Sequence, residues 1–73
     1  MFLVNHFTDS LFFSFDYLIK KGMITLSDAE GNAVASKAIT NSNFEKISVK
    51  GFSGKYIIQV SYDNNTSKRI FYI

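Results

Sequence analysis

The side chains that can ligate a metal ion are few in this chain. His6 is its single histidine, and it contains no cysteine. Protein zinc sites need three or four nitrogen, sulfur or carboxylate ligands at characteristic spacings. Asp9 and Asp16 do not provide such a spacing around His6. We therefore interpret His6 as a solvated histidine at the end of a strand, and we expect no bound metal.

The acidic residues indicate a turn rather than a catalytic site. Asp28, Glu30 and Asn32 place side-chain oxygens at alternate positions, but the longer spacing and the bidentate glutamate of a calcium-binding loop are absent. Asp28 and Asp63 are too far apart in sequence to be identified as an acid–base pair. No glycine-rich phosphate loop and no Ser/His/Asp combination is present. We predict that the protein is not an enzyme and requires no cofactor.

Composition describes the domain that must position any functional residue. Residues 1–73 are long enough for one small domain, and 47% of them are hydrophobic while none is proline, which argues against disorder. The net charge is only +2, and the basic residues are scattered, which makes a nucleic-acid partner improbable. No apolar run is long enough to predict a transmembrane segment. The first residues do not resemble a signal peptide, so we expect either a cytosolic protein or a chain that is mature or truncated at its N-terminus.

Alternation of apolar and polar residues predicts β-strands along the whole chain. From Leu11 to Ile19 every odd position is apolar or aromatic. The predicted strands cover residues 11–19, 23–27, 33–40, 44–49, 55–62 and 67–73, with residues 2–7 as a seventh. Turns are expected at residues 20–22, 28–32, 41–43, 50–54 and 63–66, where Gly, Asn and Asp cluster. Six to seven antiparallel strands at this spacing predict an all-β protein, either a β-sandwich or a small barrel.

One face of each predicted strand should form the core. Its predicted members are Leu11, Phe13, Phe15, Ile24, Leu26, Val34, Ile47, Val49, Phe52, Tyr56, Ile58, Val60, Phe71 and Ile73.

Two segments between Gly22 and Ile73 resemble small immunoglobulin-like domains. ITLSDAEGNAV is similar to their hairpin of the form strand, Asp-x-x-Gly-x-x-Val, and ISVKGFSGKYIIQV is similar to their segment that contains Ile-x-Val and Gly-x-Tyr. Two related groups share this outline. One consists of the C-terminal sorting domains of the Por (type IX) secretion system. The other is a family of small secreted immunoglobulin-like domains of unknown function from Bacteroidetes.

The chain departs from the sorting domains at both ends. Sorting domains usually begin with a strand that contains Asn-Pro and end in a lysine-rich tail, whereas this chain has no proline and ends Ile-Phe-Tyr-Ile. The resemblance is therefore assigned first to the family of unknown function. It implies an immunoglobulin-like sandwich and a secreted, periplasmic or cell-surface location.

The segment between residues 50 and 56 suggests a structural corner. Tyr56 follows Gly54 by two residues, in a position where its ring can be buried and its hydroxyl can bond to nearby backbone. Phe52 would fill the core at this corner, and Gly54 would adopt a backbone conformation that a side chain obstructs.

A few apolar residues near the N-terminus are not accounted for by the predicted core. Phe12 and Leu18 fall on the otherwise polar face of their strand, and together with Phe2 and Phe7 they predict an interaction patch. The favoured hypothesis is a non-catalytic secreted or surface module that binds a protein through this patch or an edge strand. The partner of the edge strand could be a second copy of the chain. The first alternative is a C-terminal sorting domain of a larger exported protein. The second is a small nucleic-acid-binding β-barrel.

Overall fold

The computed structural model describes residues 2–73, and these form five antiparallel strands without a helix. The strands are β1 (Phe2–Phe7), β2 (Ser10–Asp28), β3 (Ala33–Ser48), β4 (Lys55–Tyr62) and β5 (Asn65–Tyr72). The prediction of an all-β, antiparallel protein is confirmed.

The strands are fewer and longer than predicted, because two of the expected turns lie inside continuous strands. β2 continues through residues 20–22, and β3 continues through residues 41–43. Between the pairs Ser14–Phe44 and Ile19–Ser42, residues 15–18 of β2 lie opposite residue 43 alone. Such a bulge bends the strand without ending its hydrogen bonding, and Asn41 contributes a φ of 47°. The count is therefore five strands, not six or seven.

Strand β2 is the centre of the sheet and has different neighbours along its length. Its first part pairs with β1 on one side and with residues 44–48 of β3 on the other. Its second part pairs with residues 33–42 of β3 and with β4, which in turn pairs with β5. We call β1 with residues 10–14 and 44–48 the first half-sheet. Residues 19–28 and 33–42 with β4 and β5 form the second half-sheet.

The two half-sheets fold over one another and enclose a shared apolar core. Its buried members are Phe2, Leu11, Phe13, Phe15, Ile19, Ile24, Leu26, Ile39, Ile47, Val49, Ile58, Val60 and Tyr62. Of these, Phe2, Ile19, Ile39 and Tyr62 were not in the predicted core. The predicted members Phe52, Tyr56, Phe71 and Ile73 are half-buried.

Val34 is a wrong core prediction. It is 41% exposed, because the register shifts where Leu26 pairs with Ala35 and Ser27 pairs with Ala33. Val34 therefore has no partner of its own across the strand pair, and simple alternation does not hold there.

Side-chain contacts link the two half-sheets on both open sides of the fold. On one side, the Arg69 guanidinium of β5 lies 4.2 Å from the centre of the Phe2 ring of β1, and its Nη2 donates to the Phe2 carbonyl at 3.0 Å. On the other side, Lys37 Nζ lies 3.2 Å from Glu45 Oε1 and donates to the Lys46 carbonyl at 3.0 Å. The first contact joins β1 and β5, which lie at opposite ends of the sheet order, and the second joins the two parts of β3.

Candidate functional site

Most apolar side chains of the first half-sheet that are not buried in the core lie on its outer face. Residues directly opposite one another on antiparallel strands point to the same face. The register therefore produces three outward rows, which are Leu3–Ser14–Phe44, Asn5–Phe12–Lys46 and Phe7–Ser10–Ser48. We call Leu3, Phe7, Phe12 and Phe44, together with Lys46, the aromatic face.

The aromatic face is exposed and partly ordered by contacts between its own side chains. Leu3 is 63% exposed, Phe7 72% and Phe44 55%. The rings of Phe12 and Phe44 stack with centroids 5.9 Å apart and an interplanar angle of 29°. Lys46 Nζ lies 5.9 Å from the centroid of Phe12, within range of a cation–π interaction. The aromatic face is therefore an apolar surface in which two rings pack together, with one ammonium group, that of Lys46, beside it.

The structure separates the four residues of the interaction patch predicted from the sequence. Phe7 and Phe12 belong to the aromatic face, but Phe2 is 2% exposed and packs against Phe13 and Phe15, with centroids 6.3 and 6.2 Å away. The inward phase of β1 places it in the core. Leu18 is exposed, but it lies at the bend of β2, outside the rows that define the face.

Sequence reasoning missed Leu3 and Phe44 as members of this surface. Both alternate with inward residues on their own strands, since Phe2 and Val4 flank Leu3, and Glu45 and Ile47 follow Phe44. Alternation along each strand could have predicted that both side chains point outward. That they share one face with Phe12 depends on the register between distant segments.

The outer face of the second half-sheet is more polar. Its central rows carry the polar residues Thr25, Gln59, Ser61, Thr66 and Lys68 beside the exposed Met23, and Ser61 Oγ lies 3.3 Å from Thr66 Oγ1. Apolar side chains, among them Ile70 and Tyr72, gather toward the far end of β5, where both are exposed.

Strand β5 is an open edge, because within residues 2–73 it pairs with β4 alone. Gly54 and Ile73 exchange both backbone hydrogen bonds, at 3.0 and 2.9 Å. Bonded and non-bonded pairs alternate along antiparallel strands. The residues whose backbone groups point away from β4 are therefore Thr66, Lys68, Ile70 and Tyr72.

The corner between residues 50 and 56 brings together Phe52, Gly54 and Tyr56. The Phe52 and Tyr56 rings stack with centroids 5.4 Å apart. The Ser53 backbone N–H donates to the Tyr56 hydroxyl at 3.3 Å. Gly54 has a φ of 104°, a conformation that L side chains rarely adopt. The corner fixes the path by which the chain enters β4.

Two polar turns are held by aspartate side chains. Asp28 Oδ1 accepts bonds from the Glu30 and Asn32 backbone N–H groups at 3.0 and 2.9 Å. These bonds, that of Asn32 first, hold the pKa of Asp28 below its usual value. In the β4–β5 turn, the Tyr17 hydroxyl donates to Asp63 Oδ2 at 2.9 Å, and this bond raises the pKa of Tyr17.

His6 is exposed on β1, and across residues 2–73 no group of three or more His, Asp or Glu side chains lies close enough to hold a metal ion. The arrangement that remains is one of two surfaces suited to contact with another macromolecule, namely the aromatic face and the edge of β5.

Comparison with models of protein families gives a match. The model of the family described as the secretion system C-terminal sorting domain matches residues 5–73. The matched part includes the second half of β1 and the whole of the other four strands. No curated protein matches the chain. In the part of the chain that the structure describes, no helix is long and apolar enough to cross a membrane.

Proposed function

This chain belongs to the family of secretion system C-terminal sorting domains, and we propose that it contacts a protein partner during export through its aromatic face. Membership makes it the sorting domain of an exported protein, a domain that the secretion machinery recognises. The observation that carries the proposal is the row arrangement of Leu3, Phe7, Phe12 and Phe44 on one outward surface.

The family match selects between the hypotheses drawn from the sequence. The first alternative, a sorting domain of an exported protein, is confirmed. The absence of proline and the aromatic final residues had favoured the family of unknown function, but these departures do not exclude membership. The interaction module remains a proposal, and here it becomes the means by which the sorting domain is recognised.

The aromatic face is suited to a protein partner because its residues lie outside the buried core. The core is formed by the inward phase of the same strands, where Phe13 and Leu11 are fully buried. Exposed apolar clusters of this kind are typical of interaction sites, and aromatic side chains supply much of the affinity at protein interfaces. Lys46 is the one cation in the three rows, whereas nucleic-acid surfaces concentrate several.

We also propose that the bent sheet is an immunoglobulin-like sandwich. Three features support this architecture, namely two half-sheets with one shared core, the Arg69–Phe2 and Lys37–Glu45 contacts between them, and the stacked Phe52–Tyr56 corner. The long strands β2 and β3 each serve both half-sheets, and in a sandwich they would count as two strands each.

The proposal is tested by export of a fluorescent reporter fused in front of this domain, in a host that carries the secretion system. Phe7→Ser and Phe44→Ser should each reduce the secreted fraction several-fold, and the double variant should reduce it further. Tyr72→Ser is the matched control, because Tyr72 is equally exposed but lies on the other half-sheet, and it should leave export unchanged.

Circular dichroism of the purified domains keeps folding and recognition apart. Well-folded Phe7→Ser and Phe44→Ser variants that are exported as efficiently as the parent would show that the aromatic face is not the recognised surface. Binding of short oligonucleotides that weakens steeply with salt would instead support the nucleic-acid alternative.

A further inference from the structure

We propose that two copies of this chain exchange β1, so that β1 of each copy pairs with β2 of the other. In the resulting dimer, the contacts that β1 makes within one chain are replaced by the same contacts between two chains. The exchange goes beyond the proposed function, which needs only a single copy. The observation that carries it is the strained turn between β1 and β2.

The turn between β1 and β2 holds a threonine in a backbone conformation that threonine disfavours. Phe7 pairs with Ser10, so the turn consists of Thr8 and Asp9 alone, and Thr8 has a φ of 57°. Positive φ is costly for L-residues, and most of all for a β-branched residue. The other non-glycine residues with positive φ in residues 2–73 are asparagines and an aspartate, which tolerate it better.

The hairpin between β4 and β5 shows what a relaxed turn of the same length contains. Tyr62 pairs with Asn65, and the turn residues Asp63 and Asn64 have φ values of 51° and 63°. Asp and Asn are residue types favoured in such turns, whereas threonine prefers the extended backbone of a strand. Opening the β1–β2 turn into a strand therefore relieves strain at Thr8, and opening the β4–β5 turn would relieve little.

The opened turn of one copy is complementary to the opened turn of another. The register between β1 and β2 is regular from the pair Phe2–Phe15 to the pair Phe7–Ser10. If both copies open the turn, this register continues through it, and Thr8 of each copy lies opposite Asp9 of the other. The exchanged dimer therefore keeps every pair of the closed hairpin and adds the Thr8–Asp9 pairs.

Asp9 already lies where the exchanged form requires it. The Val49 N–H donates to the Asp9 carbonyl at 2.7 Å, one pair beyond Ser10 and Ser48 in the register of β2 with β3. This bond continues the ladder between the two strands, so the conformational change centres on Thr8. Its φ must change from 57° to the negative value of a strand. Short hinges under strain favour exchange of the element that they connect.

The core can accept β1 from either copy. Among the described strands, β1 pairs with β2 alone. Its buried anchor, Phe2, packs against Phe13 and Phe15, and Arg69 lies over the Phe2 ring and donates to its carbonyl. None of these contacts depends on the connection through Thr8, so Phe2 of a second copy can make them all. The entropic cost of association is opposed by the relief of strain in two turns.

Where the aromatic face is the recognised surface, as proposed above, the exchange also changes recognition. Leu3 and Phe7 lie on β1, whereas Phe12 lies on β2, and Phe44 and Lys46 lie on β3. Each aromatic face of the dimer is therefore built from both copies, and the dimer presents two such faces. A protein with two binding sites would be held more tightly by the dimer than by a single copy.

The first experiment refolds the full chain at high protein concentration and measures the dimer fraction by size-exclusion chromatography with light scattering. The parent should give dimer beside monomer. Thr8→Gly accepts positive φ without strain, so it should lower the dimerisation constant about tenfold or more, since each dimer opens two turns. Asn64→Gly, the matched control in the other hairpin, should dimerise as the parent does. Equal dimerisation of Thr8→Gly and the parent would overturn the proposal.

A variant with the opposite effect covers the case of a weakly dimeric parent. Thr8→Pro cannot adopt positive φ, so it should be mainly dimeric. Thr8→Val keeps the β-branch and should dimerise at least as strongly as the parent, and it serves if Thr8→Pro does not fold. Monomers only, in the parent and in Thr8→Val, or a folded monomer of Thr8→Pro, would contradict the exchange.

Contacts inside the core distinguish exchange from association of intact monomers. Isotopically labelled and unlabelled chains are refolded together, and nuclear Overhauser effects between the two kinds of chain are recorded. Exchange should give such effects between the Phe2 and Phe15 rings and between Val4 and Phe13, which are partners in the register of β1 with β2. A dimer that lacks these effects between chains would overturn the exchange.

Phe44→Ser separates this proposal from the proposed function. Phe44 lies on β3, outside β1 and its turn, so the variant should dimerise as the parent does while its export falls. Normal export of Phe44→Ser together with normal dimerisation would overturn recognition through the aromatic face and leave the exchange supported. Reduced export of Phe44→Ser in a chain that shows no exchange would have the reverse meaning.

Discussion

The two half-sheets bury similar inward faces but present different outward ones. Inward, both contribute buried aliphatic and aromatic residues to one core. Outward, the first half-sheet carries the aromatic face, whereas the central rows of the second carry Thr25, Gln59 and Ser61 beside one apolar residue, Met23. The shared core accounts for the similarity. The difference supports the proposal that the outward aromatic residues serve recognition rather than folding.

Neighbouring residues of β2 make this contrast sharpest. Phe13 points inward and is fully buried, while Phe12 points outward and touches Phe44 and Lys46. The two residues have the same chemistry and the same secondary structure. Only the phase of the strand assigns one to stability and the other to the surface.

The largest expected effect comes from truncating these two residues in turn. Phe13→Ala should lower the free energy of unfolding by about 3–5 kcal/mol, because it leaves a cavity in the core. Phe12→Ala should cost about 1 kcal/mol, the value of an aromatic pair near the surface. Urea denaturation followed by circular dichroism measures both.

If Phe13→Ala unfolds completely, a milder core variant still measures the contribution of the core. Ile24→Val should cost about 0.5–1.5 kcal/mol, since Ile24 is fully buried in the second half-sheet. Equal losses for Phe12→Ala and Phe13→Ala would mean that the aromatic face is part of the folding core.

The next effect tests how closely β2 approaches β4 in the second half-sheet. A Cβ added at Gly22 would lie 2.7 Å from the Ser61 carbonyl oxygen and 3.0 Å from Tyr62 Cβ. Because backbone must move to relieve this, Gly22→Ala should cost about 1–3 kcal/mol. Gly31→Asn is the control, since Gly31 has open space around it and Asn tolerates its positive φ. Similar melting temperatures for both variants would contradict the close approach.

A smaller effect tests the contact that joins the two half-sheets. Arg69→Met keeps the aliphatic stem but removes the cation above the Phe2 ring and the bond to the Phe2 carbonyl. The expected cost is about 1–2 kcal/mol, and thermal unfolding measures it. Lys68→Met, on the outward phase of the same strand, should have little effect. If Arg69→Met unfolds at the parent's temperature, the contact does not hold the half-sheets together.

The smallest effect is a dependence of stability on pH that arises in the turn before β3. Hydrogen bonds hold the pKa of Asp28 in the folded chain below its usual value of 3.8. The stabilisation is therefore present above pH 3.8 and is lost as the pH falls through the lower folded pKa. Asp28→Asn should flatten this acid limb of the stability profile. An unchanged acid limb in the variant would show that the turn does not contribute.

Local patterns in the sequence predicted much of this fold. Strand positions, the Asp28 and Asp63 turns, and most core residues follow from alternation and turn chemistry, which depend on near neighbours. The turns predicted at residues 20–22 and 41–43 are absent, because neighbouring strands hydrogen-bond to β2 and β3 along these segments. A Lys-Lys-Gly segment has no local signal that distinguishes a turn from a bent strand.

The candidate surfaces were less predictable than the fold. Phe7 and Phe12 could be identified as apolar residues outside the core, but Phe2 was misplaced, because the phase of β1 is settled by its pairing with Phe15. The open edge of β5 could not be located from sequence. Which strand ends the sheet depends on the order β1-β2-β4-β5, a property of long-range pairing.

The sequence by itself determined that this is an antiparallel all-β domain with a small apolar core and, by resemblance, a relation to sorting domains. These properties follow from alternation, turn residues and short motifs. Only the tertiary structure decided that β2 and β3 bend through both half-sheets, that Leu3, Phe7, Phe12 and Phe44 share one surface, and that β5 remains open. The physical reason is that register and sheet order arise from hydrogen bonds between residues far apart in the chain. A local sequence pattern does not predict these hydrogen bonds.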